Sequence, residues 1–379
     1  MRSPGDRRGR PRAHRRGVDS ASAPGADRLR RVSTRDPLAT FIAGLPKAEL
    51  HVHHVGSASP RIVSELAERH PGTVPSDPDA LRRFFEFRDF AHFVEVYLAV
   101  VDLIRTPEDI RYLTHEIGRE MATGQGLRYA ELTCTPYTSV RPHEEGKGMP
   151  IEAYTEAIED ARVAVERDFG LVLRWIYDIP GEFGLPAADA TLGYALGHRP
   201  EALVGFGLGG PEIGVPRPQF RPHFDAARAA GLHSVPHAGE TTGPETVRHA
   251  IELLGAERIG HGTSSAQDAG LLALLAERGI PLEVCPSSNV ATRAVADLAE
   301  HPIRAFRDAG VVVTVNSDDP PMFNTTLNRE YEVAAGLLGL DRAGVAELAR
   351  TAVRASFAEL DVQARILGEI DAYVASGPA

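Results

Sequence analysis

The alternation of apolar and polar positions changes character near residue 37. Before it, Arg, Ser, Gly, Pro and Ala follow one another with neither a strand period nor a helix period. Such a stretch cannot bury enough apolar surface to offset its ordering entropy, so residues 1–36 read as a disordered, arginine-rich tail. From Leu38 onward, short apolar runs alternate with amphipathic stretches to the end of the chain. The runs predict strands at 48–53, 127–133, 171–178, 203–208, 231–237, 258–260, 281–284 and 311–316. Helical periodicity falls between them at 151–169, 220–230, 245–254, 269–278 and 303–309. Eight strands separated by helices, without hairpin signals, predict a parallel sheet. Eight also closes a (β/α)8 TIM barrel, whose core takes about 250 residues. The excess lies mainly between the first two strands, at 54–126, and is expected to form extra helices. Residues 37–379 are accordingly expected to be one barrel domain.

Composition narrows the class. The chain has 379 residues, of which 43% are hydrophobic and 25% charged, as in a globular protein. No apolar run reaches the ~18 residues that a membrane-spanning helix needs. The net charge of −11 is uneven, because the first 36 residues hold eleven arginines against four aspartates. The body is therefore strongly acidic and repels nucleic-acid backbones. Lysine occurs only at Lys47 and Lys147, so arginine density reflects general composition and says little about function. Two cysteines, Cys134 and Cys285, form no CxxC spacing and cannot staple a chain of this size, which fits a reducing, cytoplasmic setting. Both are expected to pack as small apolar residues.

Candidate chemistry lies where the strands end. The first closes on His51-Val52-His53, the fifth on His237 and Glu240, the sixth on His261, and the eighth on Asp318-Asp319. In a barrel these points converge on the C-terminal mouth, where such enzymes build their sites. Alternate strand residues share a face, so His51 and His53 both point inward. Buried imidazoles need partners, and a zinc ion suits three imidazoles and a carboxylate. Any one of these residues alone has a bland reading: an HxH by chance, a hydrogen-bonded core histidine, an Asp-Asp helix cap. Four such groups at four strand ends do not. His51, His53, His237 and Asp318 are expected to hold Zn2+ and activate a water, with His261 orienting or deprotonating it. Glu240 is placed to move a proton on the substrate, and Asp319 to hydrogen-bond it. This chemistry is hydrolysis of an amide, ester, lactone or amidine.

The motifs then carry a resemblance. Residues 45–53, Leu-Pro-Lys-Ala-Glu-Leu-His-Val-His, resemble the opening motif of the adenosine deaminase family of zinc amidohydrolases. The stretches 236–240, 258–262, 285–289 and 316–320 resemble its later motifs, in family order. The PCxxC signature of the cytidine and tRNA deaminase fold is absent. The resemblance implies loss of the exocyclic amino group from a 6-aminopurine nucleoside. It implies that Glu240 protonates the ring nitrogen beside the attacked carbon and that Asp319 contacts the imidazole half. It also implies that the backbone N–H of Gly210, in the turn 207–212, meets another ring nitrogen. The expected partner is a small purine nucleoside, with neither nucleic acid nor membrane.

Two departures bear on the substrate. Where the family has an acidic residue to hold the ribose 5′-hydroxyl, this chain has Val55; where its fourth strand has an aspartate, this chain has Gly207. Removing an acceptor relaxes the demand for that hydroxyl. Phe84, Phe85, Phe87, Phe90, Phe93 and Tyr97 crowd the segment that resembles the family's lid, with Arg82, Arg83, Arg88 and Arg105 nearby. One subgroup of the family acts on 6-aminodeoxyfutalosine, an adenine nucleoside of menaquinone synthesis with a carboxyphenyl ketone extending from its 5′ carbon. That substrate is favoured over adenosine, the alternative. A lactonase or phosphotriesterase would commonly need a second metal with a bridging lysine or glutamate, and the third and fourth strands offer no lysine.

Overall fold

The computed structural model describes residues 37–88, 90–144 and 148–377, the side chains at 90, 91 and 141–144 excepted. The expected tail at 1–36 lies outside the described residues, as does the ring of Phe90. Eight parallel strands follow one another around a nearly closed barrel: β1 (Lys47–His53), β2 (Leu127–Cys134), β3 (Val172–Pro180), β4 (Leu203–Gly209), β5 (His233–Ala238), β6 (Ile259–His261), β7 (Leu282–Val284) and β8 (Val313–Val315). Their residues are buried almost throughout, as strands covered on both faces must be. The architecture is the expected (β/α)8 barrel, with strand ends within three residues of the polarity pattern.

The ring closes where β8 meets β1, and few bonds do it. Val52 bridges to Asp318, His53 N–H donates to Asp318 O (2.9 Å), and Asp318 N–H to His51 O (3.2 Å). One turn earlier the Asn316 side chain stands in for a strand, its Oδ1 accepting from Leu50 N (3.0 Å) and His51 N (3.2 Å). The expected strand 311–316 is thus cut to three residues, because on the β1 side a side chain takes over from the backbone at Asn316.

The excess between β1 and β2 is helical, as expected: Pro60–Arg69, Pro78–Phe84, Phe90–Val101 and Pro107–Gln125. Three of these begin with a capping residue followed by proline. Ser59, Asp77 and Thr106 accept from the backbone N–H three residues on, and the proline fills a position whose N–H would have no partner. The helix Ile151–Phe169 buries Ala157, Ile158, Ala161 and Val165 at helical spacing and stops at Gly170, whose φ of 69° L-residues avoid.

Candidate active site

The C-terminal ends of β1, β5 and β8 bring His51, His53, His237 and Asp318 together, with one ligand atom from each within 4.8 Å of the others. The supports decide which atoms remain free. His51 Nδ1 donates to Glu283 Oε2 (3.0 Å), which leaves Nε2 buried and without a hydrogen bond. Ser288 Oγ donates to Asp318 Oδ2 (2.6 Å), leaving Oδ1 toward His53 Nε2 at 3.2 Å and His51 Nε2 at 3.4 Å. His237 Nδ1 is also buried and unbonded. Three orphaned or converging nitrogens and one carboxylate oxygen fit a divalent cation of zinc's preferences. A second grouping of His51, His261, Cys285 and Asp318 shares half these residues, but burial holds the Cys285 thiol far above its usual range and hence protonated.

Glu283 is itself held. Arg258 Nε donates to its Oε1 (2.6 Å), while Arg258 Nη2 pairs with Glu131, so a buried chain of charges runs from β2 through β6 and β7 to the ligand His51. Such outer partners fix the imidazole's orientation and tautomer. Burial alone would lower His51, but the carboxylates of Asp318, 3.4 Å from its Nε2, and Glu283, bonded to its Nδ1, outweigh that and raise it to about 10. His237 moves the other way: burial and the charges of the neighbouring histidines keep it neutral. Asp318 stays ionised despite burial, because the His51 and His53 rings stand beside its charged form at 3.4 and 3.2 Å.

Glu240 follows β5 on a loop that Glu212 pins. The Glu212 carboxylate accepts from the N–H groups of Gly239 (2.6 Å), Thr241 (2.7 Å) and Thr242 (2.9 Å), bracketing Glu240 on both sides. Thr292 Oγ1 donates to Glu240 Oε1 (3.1 Å). Burial, then the charges of Asp318 and Glu212, push Glu240 up to about 8, so it carries a proton at neutral pH. His261 is oriented by a relay. Ile303 N–H donates to His301 Nδ1 (3.2 Å), which makes Nε2 the protonated nitrogen of a neutral ring. That nitrogen donates to Asn289 Oδ1 (3.2 Å), and Asn289 Nδ2 donates to His261 Nδ1 (3.0 Å). His261 Nε2 therefore bears hydrogen and faces Glu240 at 3.7 Å and Asp318 at 3.9 Å.

His261 and Asp318 both adopt left-handed backbone, at φ 61° and 65°. A non-glycine residue there is strained by roughly 1 kcal/mol or more, which persists only when the surroundings over-determine it. Both residues turn out of a strand at this point, and the strain aims their side chains at the cluster.

Above the cluster lies a cleft of about 700 Å³. His53, His237, Glu240, His261, Asp318 and Asp319 form its floor with Gly210 beside them. Asp319 is buried, with Oδ1 unbonded. Of the expected aromatics whose rings are described, only Phe93 and Tyr97 line the cleft. Phe93 packs on Phe323 (ring centroids 5.1 Å), a ring the sequence did not single out. Phe84, Phe85 and Phe87 pack against the core instead, and Arg82, Arg83, Arg88 and Arg105 are exposed and line no part of the cleft. Val55 packs against the core and does not line the cleft either. Its neighbour Gly56 has a different importance, since a side chain there would run into the Asp319 carboxylate. Two acidic groups join from β3: Asp178, almost fully buried, and Glu182.

A barrel with a metal-ligand cluster and a protonated glutamate lining a cleft at its C-terminal mouth defines a metal-dependent hydrolase. The chain belongs to the adenosine deaminase family, which it matches over residues 46–373, and is a hydrolytic deaminase. It is 64% identical to an aminodeoxyfutalosine deaminase of Streptomyces avermitilis, over 92% of this chain and 96% of that one. A protein of the same name from Streptomyces coelicolor is also 64% identical, over 89% and 87%. An adenine deaminase of Sinorhizobium fredii is 36% identical, over 86% and 99%. Among solved structures, adenine deaminase of Arthrobacter aurescens superposes with a TM-score of 0.81 at 31% identity, over 87% of this chain and 99% of that chain. An amidohydrolase of Burkholderia ambifaria, solved with bound zinc, gives 0.81 at 25%, over 92% and 96%. No described helix is long and apolar enough to cross a membrane.

Proposed function

We propose that the protein is a zinc-dependent deaminase of a 6-aminopurine nucleoside, with 6-aminodeoxyfutalosine as its substrate. The observation that carries this reading is the 64% identity, over nearly the whole of both chains, to a protein named for that activity. The cleft supports it: Phe93 and Tyr97, on the helix Phe90–Val101, line it.

His51, His53, His237 and Asp318 would hold the metal, which would supply a water acidic enough to act as nucleophile near neutral pH. His261, fixed with hydrogen on Nε2, orients that oxygen toward carbon 6 of the purine. Glu240 delivers its proton to ring nitrogen N1 as carbon 6 becomes tetrahedral; of the attacking water's two protons, one goes to the amino group, which leaves as ammonia, and the other restores Glu240. Asp319, which burial raises to about 7, shares a hydrogen with N7. The Gly210 N–H donates to N3. A φ of 74° and the absence of a side chain bring that backbone within reach of a flat ring.

The test compares kcat/KM for 6-aminodeoxyfutalosine, adenosine and adenine with zinc-loaded protein. A preference of tenfold or more for the first, about 1.4 kcal/mol of transition-state discrimination, supports the reading. A preference for adenosine makes this a purine-salvage enzyme and leaves the metal and proton roles standing.

A further inference from the structure

The two carboxylates on the β3 side of the cleft have no role in the chemistry above. Asp178 lies at the end of β3, where the register sets it directly opposite Gly207 of β4. Its Oδ1 stands 3.0 Å from where a Gly207 Cβ would be, and Oδ2 2.6 Å from that of Gly209. Glycines at 207 and 209 thus leave room that Asp178 fills. The acidic group missing from the fourth strand is supplied from the third, reached across the sheet instead of along it. Asp178 is 4% exposed, lines the cleft, and its Oδ1 has no hydrogen-bond partner. Arg217 is the nearby cation: its Nε donates to His237 O (3.1 Å) and its Nη1 to Val215 O (3.3 Å), while Nη2 faces Glu212 at 3.7 Å without a hydrogen bond, and its charge favours the ionised form of Asp178 without bonding it.

Glu182 extends the same wall outward. It lines the cleft, and its Oε2 occupies the space a side chain at Gly210 would need. With Glu240 on N1 and Asp319 on the imidazole half, the ring nitrogen at Gly210 is N3. N3 flanks the bond to the sugar, so whatever stands beside Gly210 stands beside the ribose. A buried carboxyl with an unbonded oxygen and a second carboxyl at the rim offer hydrogen-bonding atoms that the protein leaves unsatisfied, and a pair of neutral hydroxyls satisfies them without burying further charge.

We infer that Asp178 and Glu182 bind the 2′- and 3′-hydroxyls of the nucleoside, so that the sugar is read from β3 and not from the turn after β1. This rests on the nucleoside reading above and deepens it. Held by its diol, the ribose leaves its 5′ carbon beside the aromatic lid, and no arginine or lysine among the described residues lines that cleft.

The experiment uses zinc-loaded protein and three nucleosides that all lack the 5′-hydroxyl: 5′-deoxyadenosine, 2′,5′-dideoxyadenosine and 3′,5′-dideoxyadenosine. Wild type is expected to lose tenfold or more in kcat/KM on removal of either hydroxyl. Asp178→Asn and Glu182→Gln are each expected to compress one of those ratios to threefold or less. Wild type treating all three nucleosides alike would overturn the inference. So would variants that lose the same factor on every substrate, or that lose zinc, since a structural carboxylate or a support for His53 would do that. If wild type deaminates adenine but none of the nucleosides, the nucleoside reading itself fails, and the inference with it.

Discussion

His51 Nδ1 donates to Glu283 Oε2 across 3.0 Å of fully buried space, and that one bond decides which nitrogen of His51 faces the metal cluster. Glu283→Gln keeps the shape and removes the charge. By the usual weight of such outer partners, zinc affinity should fall 10- to 100-fold. Competition with a chromophoric chelator measures it. Unchanged affinity would show that packing alone orients the ring.

Glu240 must carry its proton to act. Burial and the Asp318 charge raise it to about 8, so the protonated fraction falls as pH rises through that value. The expected kcat/KM profile has an alkaline limb there. Glu240→Gln should lower kcat about 10²- to 10⁴-fold and abolish the limb. A limb that persists in the variant belongs to another group.

Glu212 touches no substrate, yet it accepts three backbone N–H groups around Glu240. Glu212→Ala frees that loop and leaves those donors without their acceptor. A fall in kcat of tenfold or more is expected with zinc content unchanged. Glu212→Gln, which can still accept, should recover part of it.

His54 is buried, hydrogen-bonded to Thr114 and packed beside the Trp175 ring, and burial lowers it from 6.5 to about 4. The unfolded chain takes up this proton first, so between those values it binds more protons than the fold. Stability is therefore full above about 6.5, drops as pH falls toward 4, and levels off below. The loss amounts to ~3 kcal/mol. Denaturant unfolding at several pH values, with chelator present, should show this slope in wild type and a shallower one in His54→Gln.

Much of this was written in the polarity pattern. The strand ends carried His51, His53, His237, His261 and Asp318 because a barrel gathers those ends whatever its loops do. The capping pairs Ser59-Pro60, Asp77-Pro78 and Thr106-Pro107 were equally plain on the chain, although the expectation there was only of helices. What stayed hidden depends on distances between strands. Asp178 ends a predicted strand like any other residue, and only the register against Gly207 gives it meaning. Ser288 and Asn289 sat inside a recognised motif, but their targets, Asp318 and His261, lie about thirty residues away on other strands. Aromatic spacing in a helix says that rings are buried, and most here are buried in the core. Val55 likewise faces the core, so its departure from the family pattern removes an acceptor without placing anything in the cleft.

The seam between β8 and β1 carries one more consequence. Asp318, a residue of the metal cluster, is also the residue whose backbone joins the last strand to the first. Its partners His51 and His53 lie some 265 residues earlier, so this pairing closes the longest loop in the barrel and is entropically among its slowest contacts. A chain still emerging from the ribosome lacks both the strand and the carboxylate, so it can bind metal only through a partial set of imidazoles. Completing the ring and completing the ligand set are one event. A metal ion that recognises the full set thereby draws the barrel shut, and catalytic competence becomes a readout that the ends of the fold have met.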